Sequence, residues 1–276
     1  MKRRVYITVF VVMTTGALGV GYFFLFGKLF PFSPLIIGFS KHEMTNSVVY
    51  VQNGANFNDY ARLDALIPGV EKFHQQRFTN KPKLFIFRDK ASYFQRSLSK
   101  ARFCAFYNGS VVIAPWALEE DRDGKISLDI YLTHELSHSI IFQNAGLWHA
   151  YTYPHWLLEG LATYSANQMG TSFYPSRDET YRLIAQGNFM PPNDFQTRRE
   201  DAIKIDAEHR SPFFYSEFAC MVDYLVERHG KDKLLAYVEG LFKDSDNARV
   251  FRAVYGVDFE RFVAEFREMV SKGAPA

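Results

Sequence analysis

The sequence predicts an α+β fold: a small mixed sheet followed by a mostly helical half, behind an N-terminal transmembrane helix. Three features of the residue order lead there. The chain opens on a charge-free apolar run, Val5–Gly27, long enough to cross a bilayer as a helix. Apolar runs of strand length then alternate with helical stretches up to Pro115. After Ser127 nearly every apolar pattern keeps the helical period of 3.6 residues.

In chain order, "MKRR" first places three cations ahead of the apolar run. A cleaved signal peptide would have a shorter apolar core and a small-residue exit site. Ala17–Gly19 is the nearest such site, but the apolar run continues past it. Residues 1–30 are therefore expected to be a basic stub and an uncleaved signal anchor. Lys2, Arg3 and Arg4 would stay in the cytoplasm, with everything after Lys28 outside. Residues 31–45, "PFSPLIIGFSKHEMT", read as a linker, because prolines break helices. Residues 46–272 read as one soluble domain and 273–276 as a tail.

Inside that domain "VVYVQ" (Val48–Gln52), "KLFIF" (Lys83–Phe87) and "SVVIAP" (Ser110–Pro115) are expected strands. A helix is expected over about 57–78, with Pro68-Gly69 as its point of interruption, and a short one at "ASYFQRSL". Ser127 is a suitable N-cap for "LDIYLTHELSHSIIF", where Leu128, Leu132, Leu136 and Ile140 form one stripe. Apolar residues also lie elsewhere around that helix, which marks it as buried. A loop over about 143–154 should return the chain to a second helix, "HWLLEGLATYSA". A third, "FFYSEFACMVDYLVERHG", stops at Gly230; "KDKLLAYVEGLF" and "FERFVAEFREMV" complete the half.

Composition narrows the function. A net charge of +2 with no dense basic stripe argues against nucleic acid as a partner. Two cysteines, Cys104 and Cys220, give neither a disulfide framework nor a cysteine zinc cluster, and are expected to be unpaired. The chemistry lies in "THELSH". His134 and His138 are one helical turn apart and can point both imidazoles at one ion. Glu135 is turned by about 100° from His134, badly placed as a ligand but well placed as a general base. Buried imidazoles need polar partners, and a bound cation supplies one.

Two histidines need a third ligand. A further histidine six residues on would complete one known arrangement, but Asn144 stands there, and Ile141 replaces its glycine. Catalytic zinc also accepts two histidines and a glutamate. Glu159, among Trp156, Leu157, Leu158, Leu161 and Ala162, is the carboxylate that is costly to bury unless paired.

"HELSH" followed by "WLLEGLATY" resembles the gluzincin metallopeptidases, and is most similar to small, membrane-anchored peptidase-MA-like domains. The resemblance covers about residues 110–270. It implies a zincin-like fold, one zinc ion on His134, His138 and Glu159, and hydrolysis of a peptide or protein substrate with Glu135 as base. It also implies that the strand before the metal helix, "SVVIAP", forms the upper edge of the cleft, and that a downstream tyrosine stabilises the oxyanion. Tyr215 fits that place, with His209 as the other polar candidate. His149 and His155 fall between the two motifs, and Trp156 in the core.

Two departures limit the resemblance. The related aminopeptidases grip the substrate amine with G-x-M-E-N on the edge strand, and "NGSVVIAP" has no acid. Thermolysin-like members carry an Asp four residues after the glutamate ligand, orienting the first histidine; here Thr163 stands there. Two other functions stay open at this point: a tethered zinc-binding scaffold without activity, and a metal-dependent hydrolase of a non-peptide bond.

Overall fold

A computed structural model describes residues 2–273, with side chains from residue 6 onward. Helix α1 (Lys2–Leu25) contains the run Tyr6–Leu25, long and apolar enough to cross a membrane, with none of it buried against the rest of the chain.

Residues 31–45 are built into the domain rather than forming a linker. A single 3-10 turn, Phe30–Phe32, accommodates Pro31 in its first turn. Strand β1 (Phe39–Glu43) follows and pairs antiparallel with β2 (Val48–Gln52). The reason is aromatic packing: Phe30 is fully buried, stacks on Phe39 at 5.0 Å and meets Phe85 edge-on at 5.6 Å. The prolines exclude helix, but they do not exclude an edge strand.

The expected helix over 57–78 is two: α2 (Tyr60–Ala65), capped by Asp59, and α3 (Ile67–His74). The break falls at Leu66, so that Pro68 sits in the first turn of α3, where its missing N–H costs nothing. Strand β3 (Lys83–Ile86), helix α4 (Lys90–Arg96), and strands β4 (Phe103–Ala105) and β5 (Ser110–Ile113) complete the first half. The sheet order is β1-β2-β3-β5-β4, with β2, β3 and β5 parallel and both edge strands antiparallel. Parallel strands covered on both faces read as continuous apolar runs. Leu84, Ile86, Val111 and Ile113 face one core with Leu63, Val70 and Leu132. Phe85, Phe87 and Val112 face the other with Phe30 and Tyr93.

Helix α5 (Pro115–Arg122) leads to α6 (Leu128–Thr152), whose N-terminus is capped by Ser127 accepting from the Ile130 N–H. The loop expected over 143–154 is mostly helical instead. Gly146, at φ 71° and ψ 168°, bends the helix, which then continues to Thr152. Ala145 and Ala150 are buried on either side of the bend, so core contacts carry the helix across it.

Helix α7 (His155–Ser165) runs back from the short turn at Tyr153-Pro154. The remaining helices are α8 (Arg177–Ala185), α9 (Arg210–His229), α10 (Lys231–Leu241), α11 (Asn247–Tyr255) and α12 (Phe259–Gly273). The packing of α7 on α9 is unusually close. A Cβ on Gly160 would lie 2.7 Å from the Phe218 carbonyl oxygen, so only glycine lets these two backbones touch.

Candidate metal centre

His134 and His138, one turn apart on α6, bring their Nε2 atoms to 3.1 Å. Glu159 enters from α7, with Oε2 at 3.2 Å from the first and 3.6 Å from the second. A tetrahedral ion with bonds of about 2.0–2.1 Å separates its ligands by about 3.3 Å. The three observed edges bracket that value, so this group could hold a metal ion. Without an ion, the same three groups pair with one another. Burial alone would raise the Glu159 pKa, yet the charges and hydrogen bonds of His138 and His134 hold it far below the usual carboxylate range. His138 is buried too, and Glu159 outweighs that burial to raise its pKa. His138 Nδ1 is buried without a hydrogen-bond partner, and the buried Glu159 Oε2 meets only the two ring nitrogens.

His134 is oriented by a residue the sequence reading missed. Gln168, fully buried, accepts from His134 Nδ1 at 2.8 Å, which leaves Nε2 with its lone pair toward the site. The end of α7 delivers it. Asn167 takes the left-handed conformation (φ 50°) and donates to the Tyr164 carbonyl, while the Gln168 N–H bonds back to Thr163. This is a Schellman turn, and asparagine tolerates its left-handed position. Thr163 is buried without a partner for its hydroxyl and does not orient His134. The local signal was Asn167 directly after the helical run.

Glu135, about 100° round the helix from His134, lies beside the ligand set rather than in it, and accepts from the Ala105 N–H at 2.6 Å. Ala105 belongs to β4, which makes β4, rather than the expected β5, the edge of the cleft. β5 lies inside the sheet, between β3 and β4. The pairing explains which backbone groups face outward. Arg102 O accepts from Ala114 and Phe106 donates to Ser110, so the even-numbered residues bond inward. The polar groups of Phe103 and Ala105 then point toward α6 and the cleft.

The cleft encloses about 630 Å³, and His134, Glu135, His138 and Glu159 all line it. Tyr215 also lines it, with its ring stacked 6.0 Å from that of His134. Burial, then the Glu159 charge, push the Tyr215 hydroxyl pKa well above its ordinary value, so it keeps its proton. Tyr174 is a second buried hydroxyl on the same wall, 6.3 Å from Tyr215 between ring centres and raised mainly by burial. Nothing in the sequence distinguished it from the other tyrosines. His209 lines a different pocket, beside Phe173, and does not reach the cleft. His155 does line the cleft, and burial lowers its pKa. His149 lies on the last turn of α6. Trp156 is core, 5.3 Å from Phe259.

Cys104 and Cys220 are both free thiols. Burial, followed by the charge of Glu135, pushes the Cys104 thiol up to about 12, which leaves it protonated and unreactive. The site thus combines two imidazoles and a carboxylate around one point, a second carboxylate beside it, and a sheet edge along its rim. No protein-family model matches the chain, and no curated protein matches it significantly.

Proposed function

We propose that this chain is a zinc-dependent peptidase with a zincin-like fold, tethered to a membrane by α1. The observation that carries this reading is the tetrahedral spacing of His134, His138 and Glu159, with Glu135 beside them on the next helical position. When bound, a zinc ion supplies Lewis-acid polarisation of a carbonyl and acidifies water near neutral pH. The protein's own groups do the rest. Glu135 takes a proton from the attacking water and passes it to the leaving amine. Tyr215 keeps its proton and can donate to the developing oxyanion. An extended substrate adds to β4 through the outward backbone groups of Phe103 and Ala105. Its arrival competes for the Ala105 N–H, which releases Glu135 for the water. Among the residues lining the cleft the acids are Glu135 and Glu159, both assigned to the metal centre, so the reading does not extend to gripping a substrate amine.

The test separates metal binding from hydrolysis. Glu135→Gln retains zinc by elemental analysis and loses cleavage of a peptide library. Glu159→Ala loses zinc. Retained cleavage by Glu135→Gln refutes the assigned base, and full zinc in Glu159→Ala removes that residue from the ligand set. Zinc binding without cleavage of any peptide by wild type would leave a scaffold or a non-peptide hydrolase.

A further inference from the structure

Outside α1, every large hydrophobic side chain that is strongly exposed among the described residues belongs to one of three short stretches. Leu35 and Ile37 lie just after the 3-10 turn that follows α1. Phe94 and Leu98 lie on and after α4. Leu147, Trp148 and Tyr151 lie beyond the Gly146 bend of α6.

Contacts gather all three around the end of α1. Lys28 Nζ donates to the carbonyls of Phe94 and Ser97, the latter at 2.9 Å. The Arg96 guanidinium sits over the rings of Phe26 and Phe30 and donates to the Ile37 carbonyl at 2.9 Å. On the other side, Asn108 donates to the Pro31 carbonyl at 2.8 Å, and Phe106 meets Phe32 at 5.5 Å. Tyr107, between them in sequence, touches Tyr151 at 6.2 Å. The cleft reaches these patches: Phe32, Leu98, Tyr107 and Phe142 are among its lining residues.

No slack separates this face from the helix. Phe30 is fully buried in the domain, and from Phe26 to Phe30 the chain can reach at most about 14 Å. Cations predominate around α4: Lys90, Arg96 and Lys100, with Lys28 next to them, against one acid, the N-cap Asp89, which is paired with Arg88. Exposed tryptophan and tyrosine beside apolar residues and cations is the composition of a membrane interface.

We propose that this face seats on the bilayer that α1 crosses, with its apolar side chains in the headgroup–acyl boundary and the cleft mouth at that boundary. The inference rests on reading α1 as a membrane span. On the peptidase reading, it means that the polypeptide entering the cleft lies at the membrane surface; the seating itself does not depend on hydrolysis.

Tryptophan fluorescence of the full chain in phosphatidylcholine–phosphatidylglycerol vesicles tests it. Helix α1 has no tryptophan, Trp156 is buried and Trp116 half-buried, while Trp148 is 69% exposed. Lipids brominated near the top of the acyl chain should quench roughly a third of the emission, one tryptophan's share of three. Trp148→Phe should abolish that dependence. Carbonate extraction is run in parallel on the same vesicles. A chain that resists extraction but is not quenched at Trp148 overturns the seating alone, and assigns the patch to a second copy or another protein. A chain that extracts overturns the membrane-span reading and the seating with it. Neither result bears on the peptidase reading, which the zinc and cleavage assays decide.

Discussion

Replacing Gln168 tests whether the metal site is oriented in the way its geometry implies. Gln168 Oε1 lies 2.8 Å from His134 Nδ1, and both side chains are buried. Gln168→Leu leaves a buried N–H without an acceptor, at a cost of about 1–3 kcal/mol. It also frees the ring to place its proton on Nε2, the atom that must face the ion. Loss of such an outer partner weakens metal binding by about 10–100-fold, or about 1.4–2.7 kcal/mol. The two ranges agree, as they should if one hydrogen bond is responsible. Gln168→Glu acts in the opposite sense. A carboxylate accepts the same bond and makes the imidazole a stronger ligand, but it is an added buried charge when no ion is present. The metal-free protein should therefore melt lower than wild type, and zinc should raise its melting point by more. Chelator-competition titration gives the affinities; thermal melts with and without zinc give the stabilities. Zinc affinity of Gln168→Leu within about twofold of wild type would refute the argument, because the histidine would then need no orienting partner.

Three further outcomes follow from the same geometry. Gly160→Ala forces α7 and α9 apart; overpacking of about 1–3 kcal/mol outweighs a helix-propensity gain of about 1 kcal/mol, so denaturant melts should show net destabilisation, and equal stability would mean the helices can shift freely. Glu217 is fully buried with both oxygens near the Met190 N–H, and burial raises its pKa well above the ordinary value. The protonated form is thus the one favoured by folding, and its stabilisation, complete below the unfolded pKa, is lost as pH rises toward the folded one. Glu217→Gln cannot titrate, so wild type should lose stability relative to it by up to about 1.4 kcal/mol per pH unit in that window, and a pH-independent difference in melts would contradict this. Tyr215→Phe should lower kcat by about 10²-fold or more with KM and zinc content unchanged; if Tyr174→Phe carries that loss instead, the oxyanion donor is Tyr174.

Much of this was legible in the residues, for reasons that differ from element to element. The α6 start was visible because Ser127 precedes a leucine stripe, and the cap bonds as expected. Glu159 stood out by chemistry, as a carboxylate in apolar company, without any knowledge of where α7 runs. Strand β1, "FSKHE", was hidden: it has little apolar content, and its edge position comes from pairing with β2 and from Phe39 packing on Phe30. Strand β4 is only three residues long, too short for any period, and exists through its pairing with β5. Helix α11 was readable, since Asp246 caps a run containing buried Val250, Phe251 and Tyr255, yet the sequence reading passed over it. The bend at Gly146 was mistaken for a loop, because a glycine among polar and aromatic residues looks the same whether or not helix resumes beyond it.

The motif itself shows where sequence reasoning stops. Helical geometry fixes the direction of each side chain from His134 to Ser139, but not what waits there. Glu135 meets the Ala105 N–H, Ser137 bonds His74 at 2.8 Å, and Ser139 donates to the Gly109 carbonyl at 2.6 Å. Leu136 fills the core. Burial pushes His74 down to about 3, so Ser137 is held by a neutral ring and α3 is locked to α6 without any added charge. These partners satisfy the polar groups that a buried helix must satisfy. Between His138 and Glu159 too few protons meet too many acceptors: His138 Nδ1 has no hydrogen-bond partner, both Nε2 atoms crowd Glu159 Oε2, and they approach each other to 3.1 Å. With both rings neutral and His134 protonated on Nδ1, the one Nε2–H left serves either the other ring or the carboxylate oxygen, so one acceptor goes unserved. A cation at the centre removes that deficit, and binding it requires both Nε2 atoms to be free of protons. The hydrogen bond from His134 Nδ1 to Gln168 keeps one of them so. The residue that the sequence could least suggest is therefore the one on which metal binding by the motif, as proposed, would depend most directly.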